Sequence, residues 1–213
     1  MPLAPPDLNA LFVSGAEVPI PDGTARLRVV EVGQLAVSSG GVVAGDPFLL
    51  DPGDPPFALA VPAGRHPVSV AVAQILPAEP GADPDERIAA AVVRFAPDPA
   101  ARWELAVTDA QDPEMLGEEE FFGFGVDSGT ACFADPQAVK LFADGGMASA
   151  DALTDCLAGN YRHTRDWAEF AVGDGVNLVA FSSGWGGGTY PVWAGYAAGG
   201  QLCALATDFF VVG

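Results

Sequence analysis

Short apolar runs cut off by Gly, Pro and Asp recur along the chain, the pattern of strands between turns more than of amphipathic helices. Residues 25–32 and 34–37 are rich in Val and Leu with partial alternation, and Gly33 interrupts them where a bulge or turn belongs. Further strands are expected over residues 57–61, 69–76, 87–95 and 103–107, with turn chemistry between them such as the Asp-Pro-Gly-Asp-Pro-Pro of 51–56. Residues 116–122 read as a short acidic helix. Asp135 is a good N-cap and Pro136 a good first helical residue, so a helix is expected over 137–143, with a break at Gly145 and Gly146. A second helix over 149–159 would turn Leu153, Cys156 and Leu157 to one side. Residues 168–172, 177–181, 190–196 and 201–212 return to strand.

One pattern occurs twice. Residues 37–47, Val-Ser-Ser-Gly-Gly-Val-Val-Ala-Gly-Asp-Pro, and residues 126–136, Val-Asp-Ser-Gly-Thr-Ala-Cys-Phe-Ala-Asp-Pro, share Val, Ser, Gly, Asp and Pro at the same offsets. Looser matches follow in the same order: 177–181 with 57–61, 188–192 with 64–68, and 201–210 with 87–95. An internal duplication is the simplest source of such order, with units of about 27–95 and 119–213 and a helical insertion of about 136–160 in the second. Short strands joined by short turns pair with their neighbours in antiparallel fashion, so each unit is expected to be a meander. The fold expected is therefore mainly β (α+β), with internally duplicated antiparallel sheets forming a sandwich or barrel in a single domain spanning 1–213.

Composition narrows the function classes. Half of the 213 residues are apolar and 17% are charged, a composition that folds, and no run is long enough to cross a bilayer. The N-terminus lacks the basic start and apolar core of an export signal. Cys132, Cys156 and Cys203 are odd in number and have neither Cys-x-x-Cys spacing nor a His pair, so no disulfide framework, zinc site or other cofactor is indicated and a cytoplasmic setting is expected. The formal charge of −19, with Lys140 the only lysine, argues against nucleic acid and membrane partners. It favours a basic protein or peptide, or a cation, although an acidic surface also serves solubility alone; a small molecule is the other partner expected, on grounds other than charge.

Gly123-Phe-Gly-Val-Asp-Ser-Gly129 with Asp135 downstream, then Ser183-Gly-Trp-Gly186, Gly188, Tyr190, Pro191 and the closing Thr207-Asp208-Phe209, resembles an uncharacterised bacterial family, the domain of unknown function 4241. The resemblance covers residues 33–209 and implies no activity. Similar sequences often carry an acidic residue where this chain has Gly187, which weakens any metal or acid–base role for that loop.

The repeat acts as an internal control on candidate residues. Asp46 and Asp135 occur in both copies before Pro, where capping at about 1 kcal/mol each explains them. Cys132 aligns with Val43 and reads as a small buried residue, and His66 aligns with Tyr190 and reads as a half-buried ring. What differs between copies is more telling: Asp127 replaces Ser38, Trp193 replaces Ser69, and the glycine-rich connection around Trp185 is longer than its counterpart. Asp127, Ser128, Trp185, Gly186, Tyr190 and Trp193 are accordingly the candidate ligand-binding residues, since glycines allow close backbone approach beside a large ring. Trp185 as a plug over a tight hairpin is the structural alternative.

Enzymatic readings have less to rest on, and no catalytic or metal-binding residue is assigned. A hydrolase using Asp127 with His163, possibly metal-assisted, can be written down, as can a Ser128, His163 and Asp127 triad, but no nucleophile elbow frames the serine. Asp127, Asp155, His163, Asp166 and Asp174 match neither an EF-hand nor a His-Glu-x-x-His spacing, and a solvated acidic face is the simpler account. A structural or oligomeric component is the third class.

Overall fold

The structure, a computed structural model, describes residues 1–20, 23–75, 85–162 and 164–212. In chain order its elements are α1 (Leu8–Leu11), β1 (Glu17–Ile20), β2 (Gly23–Val37), β3 (Val43–Gly45), β4 (Gly64–Ile75), β5 (Asp85–Arg94), β6 (Arg102–Leu105), β7 (Gly123–Val126), β8 (Thr130–Ala134), α2 (Pro136–Ala158), β9 (Trp167–Gly173), β10 (Val176–Ser182), β11 (Gly188–Tyr196) and β12 (Leu202–Asp208). The fold is mainly β. One sheet runs β1-β2-β4-β5-β12-β11, with β6 and β7 both pairing along the far edge of β11; the other runs β3-β8-β10-β9. Every pair is antiparallel. Strand β2 is continuous through Gly33, where its register against β4 slips between Glu31 and Gly33, the bulge expected of that glycine.

The smaller sheet is buried on both faces, and the side-chain alternation of a strand sorts its residues into two layers. Ala131, Phe133, Val179 and Phe181 join the core against the large sheet. Cys132, Ala134, Leu178 and Ala180 face the other way, onto Val139, Phe142, Leu153 and Leu157 of α2. That is why β8 carries no exposed residue. Helix α2 is capped by Asp135 and bends at Gly146, which takes φ +54°. Leu153 and Leu157 lie on the buried side as expected, but Cys156 is exposed: it falls off the face that the i, i+4 pair defines.

The pairing registers repeat. Val37 sits opposite Gly64 and Leu35 opposite His66 in one half; Val126 sits opposite Gly188 and Phe124 opposite Tyr190 in the other. Where the halves meet, equivalent positions face each other: Ala44 opposite Phe133 in the small sheet and Val92 opposite Ala206 in the large one. A two-fold axis through both sheets requires that arrangement. The copies therefore do not form one sheet each. Strands β2, β4 and β5 continue across the axis into β12, β11 and β7, so both sheets are shared.

Two further expectations need correction. Residues 57–61 form no strand; Phe57 N donates to Val42 O (3.0 Å) and Val61 N to Gly40 O (2.9 Å). In the other half Ser183 N donates to Gly129 O (3.0 Å), so Val61 corresponds to Ser183, not Phe181. Residues 116–122 do not form an acidic helix either. Gly117 and the Glu residues at 118–120 supply no apolar face to hold one, and Glu119 adopts φ +57°. Only Pro113–Met115 makes a short 3-10 turn.

The halves are clasped by two exchanged carboxylates. Asp46 Oδ2 accepts from Asp127 N (3.0 Å) and Ser128 N (2.7 Å) of the other copy, while its Oδ1 accepts from Phe48 N (3.0 Å). Asp135 Oδ2 accepts from Ser38 N (2.7 Å) and Ser39 N (2.8 Å), while its Oδ1 accepts from Gln137 N (2.8 Å). Both side chains are buried. Burial would raise the Asp135 carboxyl, but the N–H groups of Ser39, Gln137 and Ser38 outweigh it and hold the group below the usual aspartate range.

Asp46→Ala and Asp135→Ala each leave buried N–H groups without acceptors and should each cost about 2 to 3 kcal/mol in urea unfolding. The pH dependence has a definite sign. Asp135 stays ionised to lower pH in the folded chain than in the unfolded one, so its stabilisation is complete above the unfolded value of about 4 and is lost as pH falls through the lower folded value. The stability gap between wild type and Asp135→Asn should therefore shrink below about pH 4. A gap independent of pH would show that the carboxylate charge is not what the clasp uses.

Candidate functional site

The glycine-rich connection between β10 and β11 is tied down by its own backbone. Tyr190 Oη–H lies 2.8 Å from Gly186 O and 3.2 Å from Ser183 O, Ser183 Oγ–H donates to Gly186 O (2.8 Å), and Gly186 N donates to Ser183 O (2.9 Å). Phe209 packs edge-on to the Tyr190 ring at 4.9 Å. His66 repeats this in the first half: its Nε2 lies 2.7 Å from Pro62 O and its ring meets Phe95 edge-on at 5.1 Å. Tyr190 thus fills a position that both halves use to hold the turn before a strand.

Of the other five residues singled out from the sequence, Gly186 touches Tyr190 and the rest lie in different surroundings. Asp127 and Ser128 are exposed, and their backbone N–H groups are held by Asp46. A Cβ on Gly187 would stand 3.2 Å from Val126 O, and one on Gly129 would stand 3.7 Å from Gly186 Cα, so the two loops pack backbone on backbone. Trp185 is 57% exposed with the Arg87 guanidinium 4.7 Å from its ring centre. Trp193 is fully buried in the large core, with its indole N–H unpartnered.

A cleft of about 310 Å3 opens elsewhere, between β3 with the turn that follows it and β7. Leu50, Phe57, Phe124 and Val192 give it apolar walls, and Asp46 and Asp54 are the charged residues that line it. No Lys, Arg or His among the described residues does so. None of Asp127, Ser128, Trp185, Gly186, Tyr190 or Trp193 lines it. The rim includes Leu49, which is 59% exposed.

Backbone also faces the cleft. Val192 O accepts from Ala106 N (2.8 Å), so the even-numbered residues of β11 turn their hydrogen-bonding groups towards β6 and β7. The bonded pairs are then Gly188 with Val126 and Tyr190 with Phe124. Gly123 and Gly125 turn their N–H and C=O groups away from the sheet, and both are exposed and line the cleft. A Cβ on Gly125 would meet nothing within 4 Å. These residues were not legible as a site, because segments 43–57 and 106–125 meet only through the tertiary fold. The available signal was the helical insertion, which enlarges one half and leaves the matching place in the other half without it.

The inserted segment itself is engaged. Arg165 Nε donates to Glu86 Oε2 (2.7 Å), and Ser182 Oγ–H donates to Asp166 Oδ1 (2.6 Å). His163, named for a hydrolase or a triad, lies outside the described residues. Among the described residues no three His, Cys, Asp or Glu side chains gather closely enough to hold a metal ion. Burial pushes the Cys132 thiol up, away from the thiolate that nucleophilic chemistry needs. No helix among the described residues is long and apolar enough to cross a membrane.

Asp208, at the end of β12, is the most perturbed carboxyl. Burial raises it to about 6 against the opposing N–H of Phe210, which donates to its Oδ1 (3.0 Å). The folded chain keeps this proton to higher pH than the unfolded chain, so stability falls as pH rises from about 4 to about 6 and stays lower above that. Asp208→Asn keeps an acceptor for Phe210 and removes the buried charge. It should stabilise the protein by up to about 3 kcal/mol at neutral pH, with the gain gone below about pH 4 in urea titrations at several pH values. A variant less stable than wild type at neutral pH would mean that the charge has a partner it needs.

Comparison of the chain with curated proteins and with solved structures gave no match. One family model does match, described as a protein of unknown function and covering residues 35–207. That span takes in both exchanged aspartates, the cleft and the glycine-rich connection, and the chain belongs to this family, DUF4241.

Proposed function

We propose that this protein is a binding module whose ligand occupies the cleft between β3 and β7. The observation that carries the reading is a concave site with apolar walls on one side and outward-facing backbone groups of Gly123 and Gly125 on the other. Ligand sites commonly combine those two features, the apolar walls supplying burial and a few polar groups fixing orientation. The exposed side chain of Leu49 at the rim adds apolar surface that the fold does not use. No Lys, Arg, His or Cys among the described residues lines the cleft beside its two carboxylates, which favours recognition over turnover. Asp46, the one fully buried carboxylate there, already accepts three backbone N–H groups.

A thermal-shift screen across metabolites, apolar fragments and peptides tests this. A cleft ligand at tenfold excess over its Kd should raise the melting temperature by about 3 °C. The shift should be lost in Leu49→Glu, which alters the rim without touching the core. Shifts that survive this substitution unchanged would place the ligand elsewhere, and no shift with any class would remove the reading.

A further inference from the structure

Resting on the cleft as a binding site, we propose further that its occupant is an extended, basic segment of a partner protein, which adds as a strand to the outer edge of β7 at Gly123 and Gly125. The argument starts from the other half of the molecule. Gln34 and Ala36 of β2 stand where Gly123 and Gly125 stand in β7, because Val37 and Val126 hold the same register. In β2 this edge is closed by the chain itself. Gln34 N donates to Glu169 Oε2 (3.0 Å), Ala36 N donates to Asn177 Oδ1 (2.8 Å), and Asn177 Nδ2 donates to Gln34 O (2.7 Å). Glu169 and Asn177 belong to β9 and β10, which sit against β2 with the helical insertion behind them. Among the described residues the first half has no such hairpin, and the cleft is the space it would fill. The same donors and acceptors are thus satisfied on one side of the axis and left facing open space on the other.

An extended backbone is the occupant that matches this pattern. Gly123 and Gly125 present N–H and C=O at alternate positions along a strand, the spacing that an added strand reads with its own main chain. Just upstream the chain already does something similar: Leu3 N donates to Glu120 O (2.9 Å) and Glu119 N donates to Met1 O (2.9 Å), so an extended N-terminal segment lies along 119–120. Alternate side chains of the added strand would reach Leu50 and Phe57. Charge selects among such segments. Asp46 and Asp54 line the cleft, Glu118, Glu119, Glu120 and Asp127 flank β7, no cation among the described residues lines it, and the chain as a whole carries −19. A segment with Lys or Arg between apolar residues is attracted and an acidic one repelled.

Random linear peptides displayed on phage and selected on the intact protein test the proposal. Recovered peptides should alternate apolar with basic residues. Synthetic copies should bind about tenfold more weakly when alternate backbone amides are N-methylated. Gly125→Pro removes one outward N–H without removing a bond of the sheet, and the site has room for the ring. It should weaken binding about tenfold, and by more than Gly125→Ala, which keeps the N–H. Should the proline variant fail to fold, hydrogen exchange at the Gly123 and Gly125 amides of the wild type answers the same question, and the recovered peptides should slow it. Recovery of no peptide, peptides indifferent to N-methylation or to Gly125→Pro, or unslowed exchange at both amides would each overturn strand addition. A small molecule whose thermal shift is lost in Leu49→Glu, with no peptide recovered, would keep the cleft reading and remove this one.

Discussion

Two buried carboxylates, each lent by one half of the chain to the other, are the constraint on which the remaining structure depends. Asp46 and Asp135 sit at the same place in the repeated segment, and each reaches across to the turn that the other copy places after its Val. Every oxygen used accepts a backbone N–H, so the charge is compensated by fixed dipoles and not by a cation whose position could vary. Between them runs the β3–β8 pairing, centred on Ala44 and Phe133. Registering that pair registers both sheets. A slip by one residue would turn Phe133 away from the inter-sheet core and uncouple both carboxylates together.

The clasp also explains how the halves diverge without losing their alignment. With the centre of the molecule fixed by symmetry-related contacts, additions fall at its margins. In the second half the chain leaves Asp135 as a helix, returns as β9 and β10, and covers one face of the small sheet and the free edge of β2. In the first half Asp46 is followed by a turn in which Phe48 N is capped, and the chain passes on through residues 51–56 with no comparable cover. The cleft at β7 is the consequence: one edge of a two-fold arrangement closed, its mate open. Open edges invite pairing with other chains, and proteins normally cover, shorten or charge them. Here β7 is short and its flanks are acidic, which guards the edge against indiscriminate pairing.

Much of the fold was legible in the residues. The alternation in 25–37, the bulge at Gly33, the Asp135-Pro136 start of the helix and its break at the following glycines all depend on local chemistry, and all appear where the chain places them. The segments misread are those that local chemistry does not decide. Residues 57–61 have strand composition yet form none; they bond instead to Val42 and Gly40, ahead of β3. Cys156 looked as though it belonged with Leu153 and Leu157, but a buried stripe set by a pair four apart has no room for it.

The sequence by itself showed one pattern occurring twice, and from that repetition it followed that shared residues, such as the two Asp-Pro steps and the His66 and Tyr190 positions, serve structure. That much follows because a repeated residue type at a repeated offset must meet the same local demand. Only the tertiary structure decided that the copies exchange their carboxylates and share both sheets, since a sequence match carries no information about which copy a side chain reaches. It also decided where the cleft lies. The aromatic residues that distinguish the second copy went into the core or onto the surface, while the cleft formed in the first copy's unfilled place, where two segments far apart in sequence face each other across an open strand edge.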